Sequence, residues 1–216
     1  MQPESEPAVE ARTPVLLVPG WSDRARVLAR LRGRFLAAGW SSEAVAIVDF
    51  RDRFGSNIAH AGEVARAAAI LLAGVGAESL DIVAHSMGGL AVRRYLTDDA
   101  AHRVRRVVFL GTPHSGTWAA LLSWGGGRRE MLPGSEFLRA LPVPAVPCTT
   151  IRTPLDLRIF PRASARLAGV PDVVVGHASH QGLLRDRVVF DAILDALTAR
   201  VSARTEPPTE PATTTG

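Results

Sequence analysis

The stretch Asp81-Ile82-Val83-Ala84-His85-Ser86-Met87-Gly88-Gly89 decides how the rest of the chain is read. Its first half is a run of β-branched and small apolar residues, as in a buried strand, and helical spacing of apolar residues follows from Met87. Only the residues around Ser86 separate the two. A reversal that short forces Ser86 into a strained backbone conformation and leaves space only for small residues two before and two after, where Ala84 and Gly88 stand. The turn presents the Ser86 hydroxyl at the edge of a sheet and aims a helix N-terminus at any negative charge developing there. A serine that merely caps a helix after a strand shares part of this pattern. His85, the Gly88-Gly89 pair and the flanking elements favour the sharper reading, a nucleophile turn with alanine at the first glycine of G-x-S-x-G.

Outward from this turn, short apolar runs alternate with helix-period segments. Strands are expected at 15–18, 44–48, 80–84, 104–110, 146–151 and 173–175, and helices at 24–38, 58–72, 87–96 and 188–201. The apolar runs are continuous rather than alternating, as in strands covered on both faces. That order predicts a single α/β domain: a mostly parallel six-stranded sheet with helices on both faces and right-handed crossovers. Ligands in such sheets lie beyond the carboxyl ends of the strands. The domain is expected to occupy 13–202. Residues 1–12 and 203–216, rich in Pro, Glu and Thr, read as flexible tails that bury too little surface to offset their ordering entropy.

The interval 111–145 breaks the rhythm with Gly125-Gly126-Gly127 and many apolar residues. An irregular surface excursion would account for it. A small cap after the fourth strand, with Trp118 and Leu121 turned toward an apolar part of the substrate, is the preferred reading, because long loops in compact domains are commonly functional.

Composition narrows the function. With 216 residues, 47% of them hydrophobic, the chain can build one well-cored domain but not two. All 25 basic residues are arginine, the formal net charge is only +4, and no dense basic stripe is present, which argues against a nucleic-acid partner. Cys148 stands alone, so an internal disulfide and a thiolate cluster are excluded, and its apolar setting reads as core. No His, Asp or Glu cluster has ligand spacing, so a metal site is not expected. The first residues lack the charged-then-apolar order of a signal peptide, and no apolar run approaches the ~18–20 residues of a membrane span. A soluble monomer is expected, with the compartment, cytoplasmic or secreted, left open.

A serine hydroxyl needs an oriented imidazole to become a nucleophile, and on a turn of this kind the acid and then the histidine follow in the chain. Of the six histidines, His60 precedes the turn, His85 lies in it, and His102 and His114 flank the fourth strand. His177 and His180 remain, in the loop after the last strand. His180 is preferred, since Gly182-Leu183-Leu184 after it can anchor the loop. The acid should follow the fifth strand, where Asp156 stands; Asp172 precedes the last strand and belongs at the opposite end of the sheet. The oxyanion donors are expected to be the backbone N–H groups of Met87 and Trp21. The Trp21 indole either walls a pocket or packs on the sheet. Trp21, His85, Trp118 and Leu121 are the candidate substrate-contacting residues.

Together, Val18-Pro19-Gly20-Trp21, Ala84-His85-Ser86-Met87-Gly88-Gly89, Leu110-Gly111-Thr112-Pro113-His114-Ser115-Gly116-Thr117, Asp156 and His180-Gln181-Gly182-Leu183-Leu184 resemble small bacterial lipases and esterases of the α/β-hydrolase superfamily. The resemblance implies an ester hydrolase without cofactor, acting on small-molecule or lipid esters such as acylglycerols, with transient contact to a lipid interface. It implies too that the Gly111–His114 segment borders the active-site mouth. Many relatives carry His-Gly where this chain has Pro19-Gly20. An acyltransferase, a thioesterase or an amidase would use the same three residues. A non-catalytic binding protein should lack one of them, and none is missing.

Overall fold

The computed structural model describes residues 12–98 and 102–199. The tails expected at 1–12 and 203–216 therefore lie, except for Arg12, outside the described residues, as does the far end of the closing helix. Six strands form one sheet: β1 (Val15–Val18), β2 (Val45–Ile47), β3 (Leu80–His85), β4 (Val104–Leu110), β5 (Cys148–Arg152) and β6 (Asp172–Val174). Their order is β2-β1-β3-β4-β5-β6 and every neighbouring pair is parallel. β5 starts two residues later than its apolar run. Pro147 has no N–H to donate, though its carbonyl still accepts from the Val107 N–H at 3.0 Å, so the strand begins at Cys148.

Side-chain alternation along each strand divides the core. Val15 and Leu17 pack with Leu31 and Phe35 of α1 (Ala29–Ala37) and with Val189 and Ile193 of α6 (Arg187–Thr198). Leu16 and Val18 face the other way, toward Val64, Ala68 and Leu71 of α2 (Asn57–Val75) and Tyr95 of α3 (Gly88–Tyr95). Helices on both faces explain the continuous apolar runs. The first helix differs from expectation: Ala25–Leu28 is a 3₁₀ turn, and regular α-helix begins only at Ala29. α2 runs past Gly74 and stops at Gly76, whose φ of 66° closes the helix in the left-handed region. At 19 residues α2 is also long and apolar enough to cross a bilayer, against the expectation of no such run. One of its faces is part of the core just described.

The 111–145 excursion is not structureless. It contains a 3₁₀ turn at Trp118–Leu122, α4 (Gly127–Glu130) and α5 (Glu136–Ala140). Ala120, Met131, Leu138 and Leu141 form a third cluster with Met87 and Leu90 of the turn and α3. Arg93 ties down its far end: the buried guanidinium donates to the carbonyls of His114 (3.0 Å), Leu141 (2.7 Å) and Pro142 (3.0 Å). The Gly125-Gly126-Gly127 run lies against residues 54–56. A Cβ at Gly125 would stand 2.2 Å from the Phe54 oxygen, and one at Gly127 would stand 2.8 Å from the Gly55 oxygen.

Glu130 links this excursion to α2. Its Oε2 accepts from the Asn57 backbone N–H at 2.5 Å and from Asn57 Nδ2 at 2.8 Å, at the N-terminus of α2. A carboxylate there satisfies an otherwise unpaired helix amide and opposes the helix dipole. Replacing Glu130 with Ala should destabilise the protein by about 1 kcal/mol and lower the melting midpoint by about 2–4 °C, measured by thermal denaturation.

Candidate active site

Ser86 has a φ of 54°, in the left-handed region that a residue bearing a Cβ rarely adopts. The surroundings hold it there. Its N–H donates to the Leu110 carbonyl of β4 at 2.9 Å, and α3 begins two residues later. The neighbouring loops close tightly on the turn. A Cβ on Gly88 would come within 2.2 Å of the Pro19 oxygen, and one on Gly89 within 2.0 Å of Thr112 Oγ1. Gly20 lies against Ser86 itself, with an added Cβ 2.8 Å from Ser86 Cβ. The small residues of the motif thus serve the loops after β1 and β4 as well as the turn.

His180 and Asp156 meet beside this turn. His180 Nδ1 lies 2.6 Å from Asp156 Oδ2, and both side chains are almost fully buried. The other carboxylate oxygen accepts from the N–H groups of Arg158 (2.8 Å) and Ile159 (2.9 Å), so the acid is fixed on both sides. Burial by itself would raise the Asp156 pKa, but the bond to His180, that ring's charge and the two amides outweigh it and hold the carboxyl below its ordinary value. Burial drives His180 below the ordinary histidine value. Asp156 opposes this only in part, while His85 and Arg158 add to it. Thr153 Oγ1 donates to the Ala178 carbonyl at 2.6 Å and so joins the loop bearing the acid to the loop bearing the imidazole.

Ser86 and His180 open on one cleft of about 260 Å³, with Trp21, Leu122, Met131 and Ile159 among its walls. The Trp21 indole both lines this cleft and packs: it meets Phe54 and Trp124 edge-on, and its Nε1 donates to the Trp124 carbonyl at 3.2 Å. The Met87 N–H sits at the start of α3, where helix amides have no intrahelical acceptor. Larger hollows lie elsewhere, two of about 670 Å³ beside Ile58 and Phe137 and beside Arg93 and His114, one of about 600 Å³ beside Val107 and Pro147 and one of about 440 Å³ beside Thr13 and Ser79, and none of these is lined by Ser86.

Three expected substrate contacts are placed differently. Trp118 and Leu121 are half exposed and are not in the cleft wall; in the 3₁₀ turn the neighbours Ala119, Ala120 and Leu122 line it instead. His85 is 1% exposed and is not in the cleft wall, with Nε2 3.2 Å from the His180 carbonyl oxygen and Nδ1 3.5 Å from Asp23 Oδ2. His177 is exposed and pairs with Asp186 at 2.9 Å, while Asp172 bonds Arg152 and Thr150 at the start of β6. Of the Gly-Thr-Pro-His segment, Pro113 lines the cleft, whereas His114 is buried against Phe109, and burial beside Arg93 lowers its pKa to about 3. Asp23 and Arg158 line the cleft and were not singled out in the sequence, and Gln181, quoted there beside His180, lines it too. The signal for the first two was their place, two residues after Trp21 and two after Asp156. Among the described residues no three His, Cys, Asp or Glu side chains converge as a metal site.

The α/β-hydrolase fold family matches residues 14–154, well over half of the chain. This chain belongs to that family. Solved structures of similar shape include Aspergillus fumigatus lipase B, with 20% identity and a TM-score of 0.76 over 88% of this chain and 53% of that one. The mature Bacillus licheniformis lipase BlEst2 has 16% identity and a TM-score of 0.73, over 87% of this chain and 93% of that one. A bromoperoxidase from Bacillus anthracis has 16% identity and a TM-score of 0.57, over 86% and 91%. At these identities the likeness is one of fold, and this α/β hydrolase spans about half the length of the fungal lipase. Family membership and these neighbours establish the α/β-hydrolase fold.

The close approach of Gly20 to Ser86 carries a prediction. Gly20→Ala should displace the serine or the β1 loop and lower turnover by about 10²-fold, the scale of a small misplacement at a reacting centre, with the circular dichroism spectrum unchanged.

Proposed function

We propose that the protein is a serine hydrolase of carboxylic esters. One observation carries this reading: His180, bonded from behind by Asp156, opens on the same cleft as a serine held in left-handed backbone. Because His180 Nδ1 is bonded to the carboxylate, it carries the hydrogen and Nε2 is the free base. Ser86 Oγ attacks the ester carbonyl as Nε2 takes its proton. The N–H groups of Met87 and Trp21 receive the oxyanion. As the C–O bond breaks, His180 returns the proton to the leaving alcohol and an acyl-Ser86 ester remains. Water, deprotonated by His180, then attacks that ester, and the acid leaves as Ser86 regains its hydrogen.

The cleft is smaller than the ~300–1,000 Å³ of pockets that enclose drug-sized ligands, and its mouth is apolar. Leu122 and Leu157 on its wall are 86% and 83% exposed, and Trp118, Leu121, Trp124 and Phe160 around them are about half exposed or more. A concentration of exposed apolar side chains at one mouth favours an ester whose acyl chain arrives from a lipid surface, such as an acylglycerol. Trp118 and Leu121 then act as rim rather than as cleft wall.

Ser86→Ala should reduce turnover of nitrophenyl esters by at least ~10³-fold at every acyl length tested. Activity retained in that variant would refute the assignment, and product analysis with added glycerol distinguishes hydrolysis from acyl transfer. The reaction needs His180 neutral, and its pKa is depressed. The acid limb of kcat/KM, which reports the free enzyme, should therefore have its midpoint below about 6.5, with activity lost as pH falls through it. Replacing Trp118 and Leu121 together by Ser should leave a soluble short-chain ester unaffected and slow an emulsified long-chain ester about tenfold, the scale of losing about 1.4 kcal/mol of apolar burial.

A further inference from the structure

Arginine is concentrated beside the apolar mouth of the cleft. Over the whole chain basic and acidic residues are nearly balanced, 25 to 21. The two segments that carry the exposed apolar side chains, 118–129 and 155–166, hold five exposed arginines and no exposed carboxylate. Their one acid, Asp156, is buried and bonded to His180, and Glu130, next in the chain, is committed to α2. The segments lie side by side. The Trp118 N–H donates to the Phe160 carbonyl at 2.8 Å, and Thr117 Oγ1 donates to the Arg158 carbonyl at 3.0 Å while accepting from the Phe160 N–H at 2.9 Å. Arg158 stands in the cleft wall beside Leu157, and Arg162 follows the exposed Phe160, its Nε donating to the Asp156 carbonyl at 2.9 Å. Neither forms a salt bridge with a described residue. Arg129 and Arg166 line the hollows beside Ile58 and beside Arg93, so they add to the field rather than to the contact. Outside these segments, Asp23 lies in the cleft wall, mostly buried, and Asp52 bonds the Phe54 N–H, with Arg53 over the Phe54 ring.

We propose that this face docks on an anionic lipid surface, with the apolar rim entering the acyl layer and Arg158 and Arg162 bonding headgroup phosphates. The inference rests on the reading of the cleft as an ester site and names the surface that delivers the ester. Apolar side chains that surround the cleft are covered by whatever brings a substrate to it, and a leaflet supplies both layers they need. Leu122, Leu157 and Trp118 meet acyl chains, while guanidiniums rooted among them stay at headgroup level. The planar fork of a guanidinium matches two phosphate oxygens. An arginine left without a carboxylate partner is free to make that match, and each basic side chain near an anionic surface strengthens binding about fivefold. A second copy of the chain is the poorer occupant. Two copies of this face set together about a two-fold axis would bring arginine against arginine with no carboxylate between them.

Co-sedimentation with lipid vesicles tests it, with Ser86→Ala as the background so that no lipid is consumed. One set of vesicles is phosphatidylcholine alone, and the other contains about 30% phosphatidylglycerol as the anionic lipid. At about 0.05 M salt the anionic vesicles should bind the protein at least about tenfold more tightly, and at about 0.5 M most of that advantage should vanish. Replacing Arg158 and Arg162 together by Gln should weaken binding to the anionic vesicles about tenfold or more and leave binding to phosphatidylcholine as it was. Lys at both positions should restore most of the loss, because it keeps the charge. Equal binding to both vesicles, binding to neither, or Gln variants that bind as well as the parent would each overturn the proposal. A dimer in sedimentation equilibrium that dissociates on Leu122→Ser would overturn it too, since a second copy would then cover the face. The lipid and salt comparisons need no arginine variant, so they decide the matter even if the Gln pair fails to fold. Turnover of a soluble ester is assayed separately in the protein with Ser86 intact. Its absence would sink the esterase reading and leave the vesicle result standing, and the reverse outcome would sink the docking surface alone.

Discussion

The left-handed backbone at Ser86 is the constraint on which the rest of the site depends. A non-glycine residue does not stay in that conformation unless its surroundings over-determine it. Here the ladder bond to Leu110 holds it from one side, the first turn of α3 from the other, and the loops after β1 and β4 close over the top. The strain aims the hydroxyl out of the sheet edge and puts the opening of a helix directly beneath it. Each close-packed glycine nearby (Gly20, Gly88, Gly89) allows a backbone or side chain to approach to a distance that a Cβ would forbid.

The second organising force is electrostatic. The cleft places an imidazole and a carboxylate out of water, where an unpaired charge is costly and a paired one holds its partner firmly. Both oxygens of Asp156 are engaged, so the acid has one orientation to offer, and the imidazole inherits it. The loop that carries His180 is tied at two further points: the hydroxyl of Thr153 bonds the Ala178 carbonyl, and the ring of His85 bonds that of His180 itself. The loop contributes no ladder of its own, so these bonds hold the imidazole in place.

The 111–145 excursion serves the sheet as well as the cleft. Its apolar residues bury Met87 and Leu90, its carboxylate at Glu130 caps α2, and its glycines let the chain cross residues 54–56 at close range. One turn of it supplies part of the cleft wall through Ala120 and Leu122, while Trp118 and Leu121 on the same turn point elsewhere.

Local chemistry in the amino-acid sequence was enough to determine the α/β class, six strands to within a few residues, and the strand–turn–helix around Ser86. Periodicity, β-branching and the space left by Ala84 and Gly88 act over a few residues and leave their mark in the linear order. The same order pointed to Asp156 and His180, because a loop's place after a given strand decides at which sheet edge it emerges. Only the tertiary structure decided which side chains face the cleft. Trp118 and Leu122 are equally apolar and share one turn, but contacts from distant segments set how that turn is rotated. Nothing in the sequence near Asp23 or His85 announces that they meet across the β1 loop. That meeting, like the approach of Gly125–Gly127 to residues 54–56, joins positions far apart in the chain, and only the folded packing brings them together.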